Sequence, residues 1–139
     1  MTTLIPVRGP VPFELLLWGV PICMTVHNLE EALSARRFLD DTAGLRPGFR
    51  LSRPGFLAVL AILSLTTWGV AAEAAREGPK STWADVLVVV QAGLLLNALV
   101  PHLALSLRRR RYVPGLATAL LLNVPFAAYL LWRRVASGC

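Results

Sequence analysis

The chain has 139 residues, of which 55% are hydrophobic and only 16% are charged, and its net charge is +6. Soluble domains usually carry about 25% charged residues, and a domain this short cannot bury so large an apolar share. The composition therefore argues against a soluble domain and favours a membrane protein. Because 13 of the 14 basic residues are arginines that mostly flank apolar runs, the charge indicates contact with anionic lipids and not with nucleic acid.

Four apolar runs follow one another along the sequence. A hydrocarbon core about 30 Å thick is crossed by about 20 residues of helix, and the runs predict helices over about 13–33, 55–72, 86–107 and 113–132. Strands are disfavoured because the runs are long and do not alternate. The predicted fold is therefore all-α, an integral membrane bundle of four transmembrane helices that forms a single domain over residues 1–139.

Basic residues are distributed unequally among the connections. The connections at 34–54 and 108–112 hold nine of the 14 lysines and arginines. Because basic residues are retained on the cytoplasmic side, these connections are predicted to be cytoplasmic, with both termini outside a bacterial cytoplasmic membrane. Arg133 and Arg134 reduce this asymmetry. The N-terminus has no basic region and no small-residue cleavage site, so the first helix is expected to be retained.

Ionisable residues occur inside the predicted helices, where each costs at least about 2.5–3.5 kcal/mol. His27, Glu30 and Glu31 fall within an arc of about 100° near the end of the first helix. A histidine with a carboxylate three or four positions later can bind a metal ion or share a proton. In the alternative interpretation, both glutamates lie at the membrane interface and pair with Arg36 or Arg37.

A second histidine is predicted to approach the first. His102 and His27 precede the arginines of the cytoplasmic side by similar distances, so they lie within roughly 5 Å of each other along the membrane normal. Asn97 lies one to two turns deeper, and Asn123 enters the fourth helix from the same side. Asn97 and His102 share a face only if Pro101 widens or kinks the turn between them. Either asparagine can instead bond a neighbouring helix.

The run His27-Asn28-Leu29-Glu30-Glu31 resembles the motif of the HXXEE-domain family, small bacterial membrane proteins named for it. The likeness extends to Asn97 and His102 and to Tyr112-Val113-Pro114-Gly115, so it covers most of the chain. The resemblance implies that these residues belong to the site. It implies no reaction, because the family has no general assigned activity.

Three functions remain open on the sequence. The first is a membrane enzyme that uses acid–base catalysis to isomerise or cyclise a lipophilic substrate such as an isoprenoid, sterol or polyketide, without a cofactor. The site is similar in kind to that of the emopamil-binding sterol isomerases, although no alignable motif carries that likeness. Its catalytic candidates are His27, Glu30, Glu31 and His102, and its substrate-binding candidates are Asn97, Asn123, Met24 and Trp68.

The second function is a metal-dependent membrane hydrolase, with zinc or another divalent metal held by His27, Glu30 or Glu31, and His102. The third is a non-enzymatic ligand-binding or partner membrane protein. Membrane lipids and the lipophilic substrate are the expected partners. A homo-oligomer is also compatible with the sequence, since Gly19, Gly69 and Gly93 fit contacts between protomers and packing within one chain equally well.

Overall fold

The computed structural model describes residues 10–42 and 52–136, without the side chains of residues 41 and 42. Arg46, Arg50, Cys139 and both chain ends, on which part of the predicted topology depends, lie outside the described residues. Within the described ranges all regular structure is helical, and the helices are α1 Phe13–Leu17, α2 Gly19–Leu33, α3 Ala35–Thr42, α4 Arg53–Glu77, α5 Thr82–Asn97, α6 Ala104–Arg109, α7 Leu116–Thr118 and α8 Val124–Ala136.

The first predicted helix is divided at Trp18, between α1 and α2. Pro21 has no N–H for the carbonyl of Leu17, and its ring collides with that carbonyl, so the helical hydrogen bonding is interrupted there. The first apolar run therefore forms two shorter helices and not one long helix. In the described part of the chain three helices are long and apolar enough to cross a membrane, Arg53–Glu77, Thr82–Arg109 and Leu116–Ala136.

The ends of the second and third predicted helices are set by local hydrogen bonds. The Ser52 hydroxyl accepts from the backbone N–H of Gly55 at 3.3 Å, and the Ser81 hydroxyl accepts from that of Ala84 at 3.2 Å. Gly78 ends α4 with a φ of 95°, a conformation that glycine adopts without strain. These caps make α4 longer at both ends than the predicted range 55–72.

Two π-helical turns, Ala98–Leu103 and Ala119–Asn123, widen the long helices of the described C-terminal half. The first joins α5 to α6 and contains Pro101, and the second joins α7 to α8 and is followed by Pro125. A proline cannot donate to the carbonyl four residues earlier, so the helix relaxes around it. In the first turn Val100 leaves the helical conformation, with φ −138° and ψ 115°.

The interior changes in polarity along α2. One end of the bundle is an apolar layer in which Leu87 and Leu130 are fully buried. A smaller apolar cluster around Cys23 and Leu94 follows, and the ionisable residues come after it. Of the three glycines considered for helix contacts, Gly19 packs against Phe126, whereas Gly69 and Gly93 have open space beside them.

The outer surface of the long helices is apolar. Leu65 is 70% exposed, Val89 is 69% exposed and Leu121 is 80% exposed. Soluble monomers rarely expose large contiguous apolar surfaces, whereas hydrocarbon solvates them and helices satisfy their own backbone hydrogen bonds there. The outer surface and the three long helices together indicate association with a membrane.

Candidate active site: a buried His-Glu-His centre

Three ionisable side chains meet between α2 and the first π-helical turn. His27, Glu31 and His102 are 1%, 5% and 0% exposed, respectively. Glu31 Oε1 lies 3.0 Å from His102 Nε2 and 3.4 Å from His27 Nε2. The two imidazole rings meet edge to face with their centroids 4.9 Å apart. The helical spacing of four residues sets Glu31 beside His27, and we call these three side chains the His-Glu-His centre.

Asn97 contacts both histidines of the centre. Its Nδ2 lies 3.0 Å from His27 Nε2 and 3.1 Å from His102 Nε2. A separation of five residues would direct Asn97 and His102 to different sides of a regular α-helix. The helix is kinked between them, where Val100 leaves the helical conformation beside Pro101, so both side chains reach α2. A kink at this proline is one of the two conditions under which the sequence predicts a shared face.

The beginning of the last long helix closes the other side of the centre. His27 Nδ1 lies 2.8 Å from Thr118 Oγ1, and the Thr118 hydroxyl donates to the carbonyl of Gly115 at 3.3 Å. Gly115 has a φ of 89°, and a Cβ there would overlap the ring of His102. The Pro114-Gly115 pair therefore allows the backbone to approach the imidazole closely.

Glu30 contacts the start of the last long helix and not the His-Glu-His centre. Its Oε1 accepts hydrogen bonds from the Tyr112 hydroxyl and, at 2.9 Å, from the backbone N–H of Gly115. Its Oε2 accepts from the backbone N–H of Thr118 at 2.8 Å. The first N–H groups of a helix have no acceptor within the helix and attract negative charge. Glu30 is thus an N-terminal cap supplied by another helix.

Tyr112 remains a hydrogen-bond donor to this cap. Burial and the hydrogen bond to Glu30 raise the pKa of Tyr112 to about 12. The hydroxyl is therefore protonated throughout the physiological pH range. On its other side, Arg37 donates to the backbone carbonyl of Tyr112 at 2.9 Å. The observed contacts differ from the alternative in which the glutamates pair with Arg36 or Arg37.

Asn28, which also lies within the motif, forms hydrogen bonds to α4. Its Nδ2 donates to the carbonyl of Leu60 at 3.1 Å and to the hydroxyl of Ser64 at 2.9 Å. Sequence reasoning assigned no role to Asn28 or to Thr118. A polar residue in an apolar helix is itself a signal of an interhelical hydrogen bond, so Asn28 could have been found. Thr118 could not, because a threonine also bonds readily to its own helix.

The remaining predicted site residues lie in other contacts. Met24 belongs to the apolar cluster beside the centre. Trp68 donates through its indole N–H to the Thr25 hydroxyl at 3.0 Å. The Asn123 carbonyl accepts from the Gln91 amide at 3.4 Å, and the side-chain amide of Asn123 has no hydrogen-bond partner among the described residues. The structure thus brings together His27, Glu31, His102 and Asn97, and it separates Glu30, Asn123, Met24 and Trp68 from that set.

The fold and the site define a small helical protein with membrane-spanning potential, a buried His-Glu-His centre and a glutamate cap. Over residues 18–130 the chain matches the family described as "Protein of unknown function with HXXEE motif". The protein therefore belongs to the HXXEE family. The uncharacterized protein YrkK of Bacillus subtilis (strain 168) is 28% identical over 111 residues, which cover 79% of this chain and 68% of YrkK. No solved structure gives a significant match.

Proposed function

We propose that the protein is a membrane-embedded enzyme that isomerises or cyclises a lipophilic substrate, such as an isoprenoid, sterol or polyketide, by acid–base catalysis. The observation that carries this proposal is the approach of Glu31 Oε1 to Nε2 of both His27 and His102 in the interior. A buried carboxylate requires a compensating positive charge. A proton shared with the imidazoles supplies that charge and can be transferred to a substrate.

Two buried amides in the interior of the bundle support an apolar substrate with one polar group. The side-chain amide of Asn123 and the Oε1 of Gln91 are buried without a partner in the described part of the chain. The second π-helical turn, which carries Asn123, packs against α2 and the first turn. An unpaired buried amide is unfavourable, so a hydroxyl or carbonyl of the substrate would stabilise it. In this proposal Glu31 is the proton donor or base, His27 and His102 relay protons, and Asn97 and Asn123 orient the substrate.

Replacing Glu31 with glutamine is expected to reduce turnover by about 10²–10⁴-fold, the usual contribution of general acid–base catalysis. Full-length protein in nanodiscs would be incubated in D2O with isoprenoid, sterol and polyketide extracts. Mass spectrometry would then detect new isomers or deuterium incorporated at carbon. Glu14→Gln, the same change at an exposed position of α1, is expected to leave turnover unchanged. Wild-type protein that alters none of these extracts would contradict the proposal and favour the ligand-binding alternative.

The proposed enzyme spans the membrane four times, with α1 and α2 together forming the first span. Residues 13–33 rise about 30 Å at about 1.5 Å per residue, enough to cross the hydrocarbon core. The Arg37–Tyr112 hydrogen bond joins the connections 34–54 and 108–112 at one end of the bundle. Arg133 and Arg134 donate at the other end, to the carbonyls of Val11 and Pro79. These contacts give both C-terminal arginines a structural role, so their position does not count against the charge asymmetry of the connections. The asymmetry then supports cytoplasmic connections, termini outside and a centre near the inner leaflet.

Cysteine labelling tests this orientation. In a chain with Cys23 and Cys139 replaced by serine, Lys80→Cys is expected to react with a membrane-impermeant maleimide in intact cells, because Lys80 is exposed in the proposed outer connection. Arg108→Cys, at the exposed end of α6, should react only after the cells are lysed. The opposite pattern would reverse the proposed topology.

A further inference from the structure

Donor atoms from three side chains converge on one point in the His-Glu-His centre. One ligand atom each of His27, His102 and Glu31 lies within 4.8 Å of the other two, and all three residues are buried. Two imidazoles and one carboxylate are a frequent ligand set of catalytic zinc, in which a fourth position stays open. Tetrahedral ligands at about 2.0–2.1 Å from zinc lie about 3.3–3.4 Å apart. The two Glu31–histidine distances, 3.0 and 3.4 Å, are close to that spacing.

The hydrogen bonds of His27 direct a lone pair towards this point. Because the Thr118 hydroxyl donates to Gly115, it accepts from Nδ1–H of His27. In the neutral imidazole Nε2 of His27 then has no hydrogen, and it lies 3.4 Å from the carboxylate oxygen of Glu31. Two electron-rich atoms repel each other at this distance unless a cation lies between them. Metal-bound histidines commonly donate their second ring N–H to an oxygen in this manner.

Hydrogen bonding by neutral imidazoles does not satisfy the centre. Each Nε2 lies near Glu31 Oε1, which can only accept, and near Asn97 Nδ2, which can only donate. One ring nitrogen has either a hydrogen or a lone pair in its plane, so it cannot satisfy both neighbours. Rotating the Asn97 amide resolves the conflict only if both imidazoles carry Nε2–H, and His27, whose Nδ1–H faces Thr118, is then a buried cation. A metal ion accepts both lone pairs and the carboxylate at once.

We propose that His27, Glu31 and His102 bind one divalent transition-metal ion, of which zinc fits the nitrogen and oxygen donors best. Thr118 orients His27, and Glu30 is outside the ligand set. With the ion bound, the three side chains of the His-Glu-His centre act as its ligands and not as proton carriers. The proposed reaction, on which the catalytic meaning of the ion rests, would then use the open position of the ion to polarise an oxygen of the substrate or of water. The ion is equally compatible with the hydrolase alternative. Its binding depends on the three donor side chains alone and not on which reaction takes place.

Metal content of the purified full-length chain in nanodiscs tests this inference. Elemental analysis after zinc loading and dialysis is expected to find about one zinc per chain in the wild type. Cobalt(II) added to chelator-treated protein should give the intense visible absorption of a tetrahedral site. Glu31→Gln and His102→Ala should abolish both signals, and Thr118→Val should weaken affinity by about 10–100-fold. Glu30→Gln, the matched control one residue away, should still bind about one ion per chain at saturation.

Folded wild type without stoichiometric zinc or the cobalt spectrum would overturn the metal site, and so would full binding by the folded His102→Ala and Glu31→Gln variants. Glu31→Gln keeps the side-chain volume, so it remains informative if His102→Ala does not fold, as judged by circular dichroism. The deuterium assay separates the two proposals. Lipid turnover that survives chelation but is lost in Glu31→Gln would reject only the metal, and stoichiometric zinc without turnover of any lipid would reject only the reaction.

Discussion

Replacing Gly115 with alanine is expected to destabilise the protein by about 2–5 kcal/mol. Two effects add at this position. The φ of 89° is unfavourable for any residue with a Cβ, and the new Cβ would overlap the ring of His102, which is fully buried and cannot move aside freely. The free energy of unfolding in detergent, followed by circular dichroism during denaturant titration, measures the sum.

A matched substitution separates the two effects. Gly78 also has a positive φ, of 95°, but no atom lies within 4 Å of a Cβ built there. Gly78→Ala should therefore show backbone strain without a steric clash, about 1–3 kcal/mol, because its ψ of 173° lies in a region almost confined to glycine. Gly115 has a ψ of −15°, a left-handed conformation in which the strain of alanine is smaller, about 1–2 kcal/mol. A loss for Gly115→Ala no larger than this strain would contradict the close packing of Gly115 on the imidazole.

Removing the Glu30 carboxylate by substitution with alanine is expected to destabilise the protein by at least about 2 kcal/mol, because hydrogen bonds to a charged group contribute about 1.5–3 kcal/mol each. The Tyr112 hydroxyl and the N–H groups of Gly115 and Thr118 would lose their acceptor together. Because Glu30 is only partly buried, water replaces some of the lost hydrogen bonds. The expected destabilisation is therefore close to about 2 kcal/mol and well below the sum for three hydrogen bonds. Thermal and denaturant unfolding measure the effect.

Two comparisons make this prediction specific to the cap. Glu14→Ala removes an exposed glutamate from α1 and should change the unfolding free energy by less than about 0.5 kcal/mol. Tyr112→Phe removes one of the donors to Glu30 and should show a smaller loss than Glu30→Ala. If Glu30→Ala is as stable as the wild type but has lost zinc or turnover, then Glu30 acts in the chemistry of the centre and not as a cap.

The approach of the two histidines could be predicted because it depends on local geometry. The rise of a helix gives the depth of His27 and His102 relative to the flanking arginines. Pro101 marks the turn that had to widen or kink for Asn97 to join them, and the helix is kinked there, at Val100. The division of the first apolar run follows from the same kind of local rule, because the carbonyl of Leu17 that Pro21 leaves unbonded interrupts the helix. The apolar run by itself gives only the length of a span.

The different roles of the two glutamates could not be predicted from the motif. Glu30 and Glu31 are neighbours on α2, about 100° apart around its axis. A site shared with other helices could have lain on the side of either glutamate. Their roles diverge because the first turn of the last long helix lies against one of these sides and His102 against the other. This difference in role depends on how the helices pack, and the residue spacing within the motif carries no information about that packing.

The amino-acid sequence by itself determined a helical, apolar chain with a histidine and a carboxylate one helical turn apart, because these properties follow from composition and from the repeat of the helix. The tertiary structure alone decided that Glu31 completes the His-Glu-His centre while Glu30 caps another helix. It also decided that Thr118, 91 residues from His27, sets the orientation of that imidazole. Contacts between residues so distant along the chain depend on the packing of whole helices, and local sequence does not specify that packing.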